Sequence, residues 1–221
     1  SLRFIEQMES GWLNDAMESA IRPVMDSGLV LPSRPGYRMD VHERHGITHY
    51  SVPPKADGRY IMAGDPGMGD VPRRNTGVVM CFDTSRWPYE LVYFDWISGK
   101  GSYIPFISSY RNCVDIYQPL YKGLDATGPQ ASLDEIGFEQ AGIVTDSLNF
   151  QRDKIGMLNA LTNALTNQQF KTPVIQGLHR QMANYQDDDK KLAQDIVMTF
   201  AQVAFLCRLV PRPDKNTVAP P

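Results

Sequence analysis

The rhythm of apolar residues changes once, near Ser102, and that change limits the folds open to this chain. Before it, Arg59 to Gly64, Thr76 to Phe82 and Glu90 to Trp96 are three β-rich runs, separated by turn signals such as Asp83-Thr84-Ser85 and Trp87-Pro88. Strands joined by such short links pair antiparallel. After it, strand and helix patterns alternate. A helix over Tyr103 to Leu120 leads to a strand at Lys122 to Ala126, then a helix near Gln130 to Ala141. A strand at Ile143 to Ser147 precedes a helix from Phe150 to Thr166. A short run, Phe170 to Ile175, precedes helical stretches at Gly177 to Tyr185 and Leu192 to Leu209. Alternation of this kind predicts an α/β fold: a mixed sheet, antiparallel first and parallel afterwards, with helices on both faces.

The flanks read differently. Ile5, Met8, Trp12 and Ile21 recur near helical spacing, which predicts an amphipathic helix over residues 2 to 22 that stops before Pro23. Residues 26 to 58 are rich in Gly, Pro and charge and read as an extended connection, with a short strand at Ile47 to Val52. The expected division is a helix and connector over 1–58, one folded domain over 59–210, and a proline-rich flexible tail over 211–221. The first residue is Ser1, as in a fragment or a processed chain. Hydrophobic residues at 42% and charged residues at 21% suit a soluble globular domain. No apolar run approaches the roughly 18 residues of a membrane span, and no signal peptide leads the chain.

Charge and cysteine usage narrow the functional classes. A net charge of −3 argues against a protein that coats nucleic acid without sequence preference, yet leaves room for a nuclease with grouped acids. Arg73-Arg74, His179-Arg180 and Lys190-Lys191 read as solvated surface. Cys81, Cys113 and Cys207 are odd in number and widely spaced, which predicts buried, reduced thiols rather than a disulfide framework.

Two strings carry the chemistry. Tyr60-Ile-Met-Ala-Gly-Asp65-Pro-Gly-Met-Gly and Tyr121-Lys-Gly-Leu-Asp125-Ala-Thr-Gly are each a short apolar run ending in one acid followed by glycine. Both read as a buried strand that delivers a carboxylate to its tip. A third acid comes from Tyr185-Gln-Asp-Asp-Asp-Lys-Lys-Leu-Ala-Gln-Asp195-Ile-Val-Met. Asp195 is favoured because an acid flanked by apolar residues is costly to bury without a partner, and Asp189 is the alternative. Carboxylates gathered without Cys or His suit hard cations, Mg²⁺ or Mn²⁺, and hence metal-assisted hydrolysis of phosphodiesters. In two-metal chemistry the ions sit about 3.5–4 Å apart and clamp the attacking and leaving oxygens. His42, His45 and His49 around Glu43 tempt a zinc reading, but the spacing misses His-Glu-x-x-His, and an exposed loop is expected instead.

Three antiparallel strands followed by parallel crossovers is the order of the ribonuclease H-like fold, which sets the first and fourth strand ends side by side. The succession Gly-Asp65-Pro-Gly, Leu-Asp125-Ala-Thr-Gly and Asp189-Lys-Lys-Leu-Ala-Gln-Asp195-Ile-Val-Met resembles the C-terminal nuclease domain of tailed-phage large terminase subunits. The resemblance spans roughly Arg59 to Leu209. It implies an endonuclease that cuts concatemeric double-stranded viral DNA during genome packaging in the host cell cytoplasm. It also implies a packaging ATPase domain, a portal and a small terminase subunit as partners. By the same resemblance Asp65, Asp125 and Asp195 are the metal-binding triad, and Lys154, in Phe150-Gln-Arg-Asp-Lys154, orients a phosphate. Many members carry two adjacent acids at the third position, whereas here Gln194 precedes Asp195.

Competing readings remain at this level. Another ribonuclease H-like nuclease, such as a Holliday-junction resolvase, would use the same acids. An actin-like ATPase would need more glycine-rich phosphate loops than this chain has, and no Gly-x-x-x-x-Gly-Lys-Ser/Thr string occurs. A metal-free docking module would have had no need to retain all three acids.

Overall fold

The computed structural model describes residues 47–66, 76–98, 103–125, 137–185 and 195–213. The helix expected over residues 2 to 22, His42 and His45, the three acids from Asp187 to Asp189, and most of the helix expected near Gln130 lie outside the described residues.

Seven strands form one mixed sheet among the described residues: β1 (Ile47–Ser51), β2 (Tyr60–Asp65), β3 (Thr76–Asp83), β4 (Tyr89–Ser98), β5 (Tyr121–Asp125), β6 (Asp146–Leu148) and β7 (Phe170–Lys171). Their order across the sheet is β1-β4-β3-β2-β5-β6, with β7 alongside β4. β2, β3 and β4 form the expected antiparallel meander, and β5 and β6 then join parallel. The longer helices among the described residues are α1 (Tyr103–Tyr117), between β4 and β5, α2 (Phe150–Thr166), α3 (Gln176–Asn184) and α4 (Asp195–Leu206).

The two faces of β2 are covered by different helices, which is why Ile61, Met62 and Ala63 are all fully buried. On one face lies α1. A Cβ placed on Gly64 would fall 2.8 Å from the Tyr110 ring and 3.0 Å from Phe106, so only glycine admits the helix this close. Tyr110 donates to Gly123 O at 3.1 Å, and Tyr117 donates to Val52 O and Val92 O at 2.5 and 2.9 Å. On the other face lies α4, apolar nearly all round as a doubly covered helix must be. Its Phe200 stacks on Phe82 at 5.2 Å and meets Phe170 edge-on at 4.9 Å, while α2 packs on its outer side.

Residues 47–51 form the short strand expected there and join the sheet as its edge. His49 fastens them: its Nδ1 lies 2.5 Å from Asp95 on β4, and its Nε2 lies 3.0 Å from Ser51 Oγ. Asp95 also accepts from Tyr93 O–H at 2.6 Å and from Ser109 Oγ on α1. His49 is therefore a half-buried strand residue, which corrects the exposed loop expected around it.

Two other differences follow. The strand expected at Ile143 to Ser147 starts at Asp146, because Ile143 N first bonds Phe138 O at 2.9 Å, closing a turn through Gly142 at φ +69°. Ile143 then fills the core ahead of the strand. His179, read as solvated surface, is buried within α3, and only Arg180 of that pair is exposed. α2, by contrast, begins and ends where the pattern puts it, and Asn149 Oδ1 caps its start by accepting from Arg152 N at 2.9 Å. All three cysteines are buried and free, as their spacing implies.

Candidate metal centre

The register of two strands builds this site. β2 and β5 run parallel, with Ala63 opposite Gly123 and Gly64 opposite Leu124. The next step of each strand is an acid, Asp65 on one and Asp125 on the other, so the two lie at neighbouring strand ends. Strand alternation then fixes their direction. A Cβ on Gly123 would meet Leu206 of α4 at 2.8 Å and the Ala63 Cβ at 3.4 Å, so Ala63 and Gly123 face α4. Asp65 and Asp125, each two residues further on, face the same side. Both are half-buried.

Asp195 opens α4, and a chain of contacts ties that helix start to the same end of the sheet. Trp96 lies in one cross-sheet row with Val78 and Asp65. Gly177 of α3 sits so near Trp96 that an added Cβ would fall 2.7 Å from its ring. One turn on, Gln181 Oε1 accepts from Ile196 N at 3.0 Å, next to Asp195. Asp195 itself is half-buried, and its carbonyl accepts from Thr199 Oγ1 at 2.8 Å.

Lys154 lies one turn into α2, the helix that leaves the end of β6. Leu148 of β6 is paired with Asp125, so the start of α2 stands beside that carboxylate. Its first turn also holds Arg152 and Asp153, paired at 2.7 Å, and the guanidinium holds the Asp153 carboxyl below its ordinary range. Asn149, which shapes this corner, was not singled out as a functional position. Its signal was nonetheless present, an Asn placed just ahead of a periodic apolar run.

The structure thus brings Asp65 and Asp125 together and sets Asp195 and Lys154 on helices that begin at the same end of the sheet. Among the described residues, no group of three or more His, Cys, Asp and Glu side chains is arranged to hold a metal ion. Asp189, the alternative third ligand, lies outside them. As a donor set, two carboxylates side by side on a rigid sheet fit a hard divalent cation, which takes oxygen ligands and retains waters. Among the described residues no helix is long and apolar enough to cross a membrane.

No protein-family model matches this chain, and no curated protein sequence matches it. Solved structures do. The large terminase nuclease from thermophilic phage G20c, in its zinc-bound form, superposes over 83% of this chain and 96% of its own, with a TM-score of 0.59 at 16% identity. Its magnesium-bound form gives the same TM-score and identity over 81% of this chain and 93% of its own. The Thermus phage P74-26 large terminase nuclease domain matches over 81% of this chain and 90% of its own, with a TM-score of 0.56 at 15% identity. The chain therefore has the ribonuclease H-like fold of large-terminase nuclease domains.

Proposed function

We propose that this chain is a divalent-metal-dependent endonuclease that cuts concatemeric double-stranded DNA during viral genome packaging. One observation carries the reading: the parallel pairing of β2 and β5 puts Asp65 and Asp125 at adjacent strand ends on one face. The fold shared with phage terminase nucleases, one of them solved in a zinc-bound and in a magnesium-bound form, supports it.

In this reading Asp65 and Asp125 would hold the divalent cation, Mg²⁺ or Mn²⁺. Asp195 completes the set from the start of α4, with Asp189 as the alternative. Bound divalent ions supply charge stabilisation for in-line displacement at phosphorus and lower the pKa of the attacking water. The chain's own contribution is position. The sheet fixes both strand-end carboxylates, and Lys154 meets a phosphate oxygen of the strand being cut and holds it in line. A packaging ATPase domain, a portal and a small terminase subunit are the partners this role requires, and they time the cut.

Plasmid cleavage in Mn²⁺, Mg²⁺ and EDTA, comparing the parent with Asp125→Ala, tests the reading. Metal-dependent loss of supercoiled DNA, abolished by the substitution, is expected. Equal cleavage by both proteins sinks it. Preference for four-way junctions over linear duplex by about a hundredfold or more would move the assignment to a junction resolvase.

A further inference from the structure

A second concave site lies away from the carboxylates. It is a cavity of about 640 Å³ between α2, the end of α4 and the segment that follows, within the size range of small-ligand sites. One wall is a row of amides on α2: Asn159, Asn163 and, at the helix end, Asn167, joined below by Gln169. Successive members of the row are about 6 Å apart along the axis. The lining also includes Arg208 and Arg212, and among the described residues no carboxylate lines the cavity. The rest of the lining is made of small and apolar residues, Gly156, Ala160, Ala164 and Ala204 with Cys207 and Val210.

Both guanidiniums are positioned by aromatic rings. Arg208 Cζ lies 5.0 Å from the Phe205 centroid, and Arg212 Cζ lies 6.0 Å from that of Trp87. Such stacking restrains the side chain while its N–H groups stay available to an anion. Asn167 is restrained as well, its Nδ2 donating to Asn163 O at 2.8 Å.

The cavity belongs to the far end of the sheet. Gln169 O accepts from Tyr89 N at 2.8 Å, at the start of β4, and that end of the sheet also holds Tyr60 and Asp83. Asp65 lies at the other end of β2, about 17 Å away along the strand. A molecule in the cavity is therefore not at the proposed cleavage centre.

Two guanidiniums on the lining of one cavity match phosphate. Primary amides both donate and accept, as the edge of a nucleobase requires, and Asn or Gln pairs well with adenine. The small residues of the lining let a flat ring approach the backbone closely. We propose that this cavity binds a nucleotide, its phosphate on Arg208 and Arg212 and its base on the amide row. An acidic peptide would satisfy the guanidiniums but makes no use of the amide row.

The test uses the full chain in EDTA, so that it is independent of the cleavage reading. Calorimetric titration with dAMP and with a hexamer of deoxyadenosine lacking a terminal phosphate separates two sources of the same chemistry. Binding of dAMP alone assigns a terminal phosphomonoester, and binding of the hexamer alone assigns internal phosphodiesters of a strand. In either case an Arg208→Gln, Arg212→Gln double variant is expected to weaken binding by at least about tenfold. Asn163→Leu, which fills the cavity without changing charge on an exposed helix position, is expected to do the same. The proposal is overturned if neither ligand binds, if both variants bind like the parent, or if a tetraglutamate peptide binds more tightly than either nucleotide.

Discussion

Two carboxylates turned to one face at neighbouring strand ends disfavour each other's charged form. Asp65→Asn removes that effect. In EDTA the variant is expected to melt at or above the parent temperature, while plasmid nicking in Mn²⁺ falls by at least about a hundredfold. A variant that melts lower and nicks normally would show that Asp65 serves the fold alone. His179 offers a different test. Burial pushes its pKa down to about 4, from 6.5. Below pH 6.5 the unfolded chain takes up a proton that the folded chain refuses, so stability falls as the pH drops from 6.5 towards 4 and then levels. The full loss is on the order of 3 kcal/mol. Urea melts at pH 7 and pH 4.5 should diverge in the parent and converge in His179→Met. Asp83 acts in the same direction at lower pH. Burial alone would push its carboxyl up, but the Lys55 ammonium at 2.8 Å and the Ser85 donors hold it below the ordinary range.

At the scale of elements, glycine decides how closely helices approach the strands that carry the acids. Gly64 and Gly123 are paired one step out of register on β2 and β5, yet they face opposite layers. An alanine methyl at Gly64 meets the rigid rings of Tyr110 and Phe106, whereas at Gly123 it meets the flexible tips of Leu206 and Leu148 first. Gly64→Ala is expected to cost about 1–3 kcal/mol, and Gly123→Ala clearly less, in paired denaturant melts. Equal costs would mean that α1 yields as easily as a leucine tip. These packing details were hidden in the sequence, because a glycine before an acid reads equally well as a turn. What was legible followed periodicity. α2 was bounded correctly because Asn149 caps it and apolar residues recur along it, and the meander was readable from its turn signals. β6 was misplaced by its first residues because Ile143 is apolar for a turn's reason. His179 was misread because burial of a histidine leaves no mark in a local pattern.

For the whole molecule, the pairing of β2 with β5 was foreseeable only through topology, since neither strand predicts its neighbour. The strand order supplied the neighbour, and the two acids then fell together by register. Where the third ligand enters was less legible, because four acids stand close together ahead of or within one helix start. A cation that joins these parts binds the folded state alone, so it should raise the melting temperature. At a hundred times its dissociation constant the gain is about 2.7 kcal/mol. Thermal melts with Mn²⁺ are expected to shift upward in the parent and stay fixed in Asp125→Ala; an equal shift in both would place the ion elsewhere.

The helix that closes the acid-bearing face is also the last of the described helices to be made. Until α4 emerges, the sides of β2, β3 and β5 that it covers have nothing to rest on, and Asp195 is not yet there to join them. At roughly 5–20 residues per second, a ribosome needs on the order of ten seconds to travel from Asp65 to Asp195. On the proposed reading a nascent chain lacks its third carboxylate for as long as it is unfinished, and the order of synthesis serves as a safety catch.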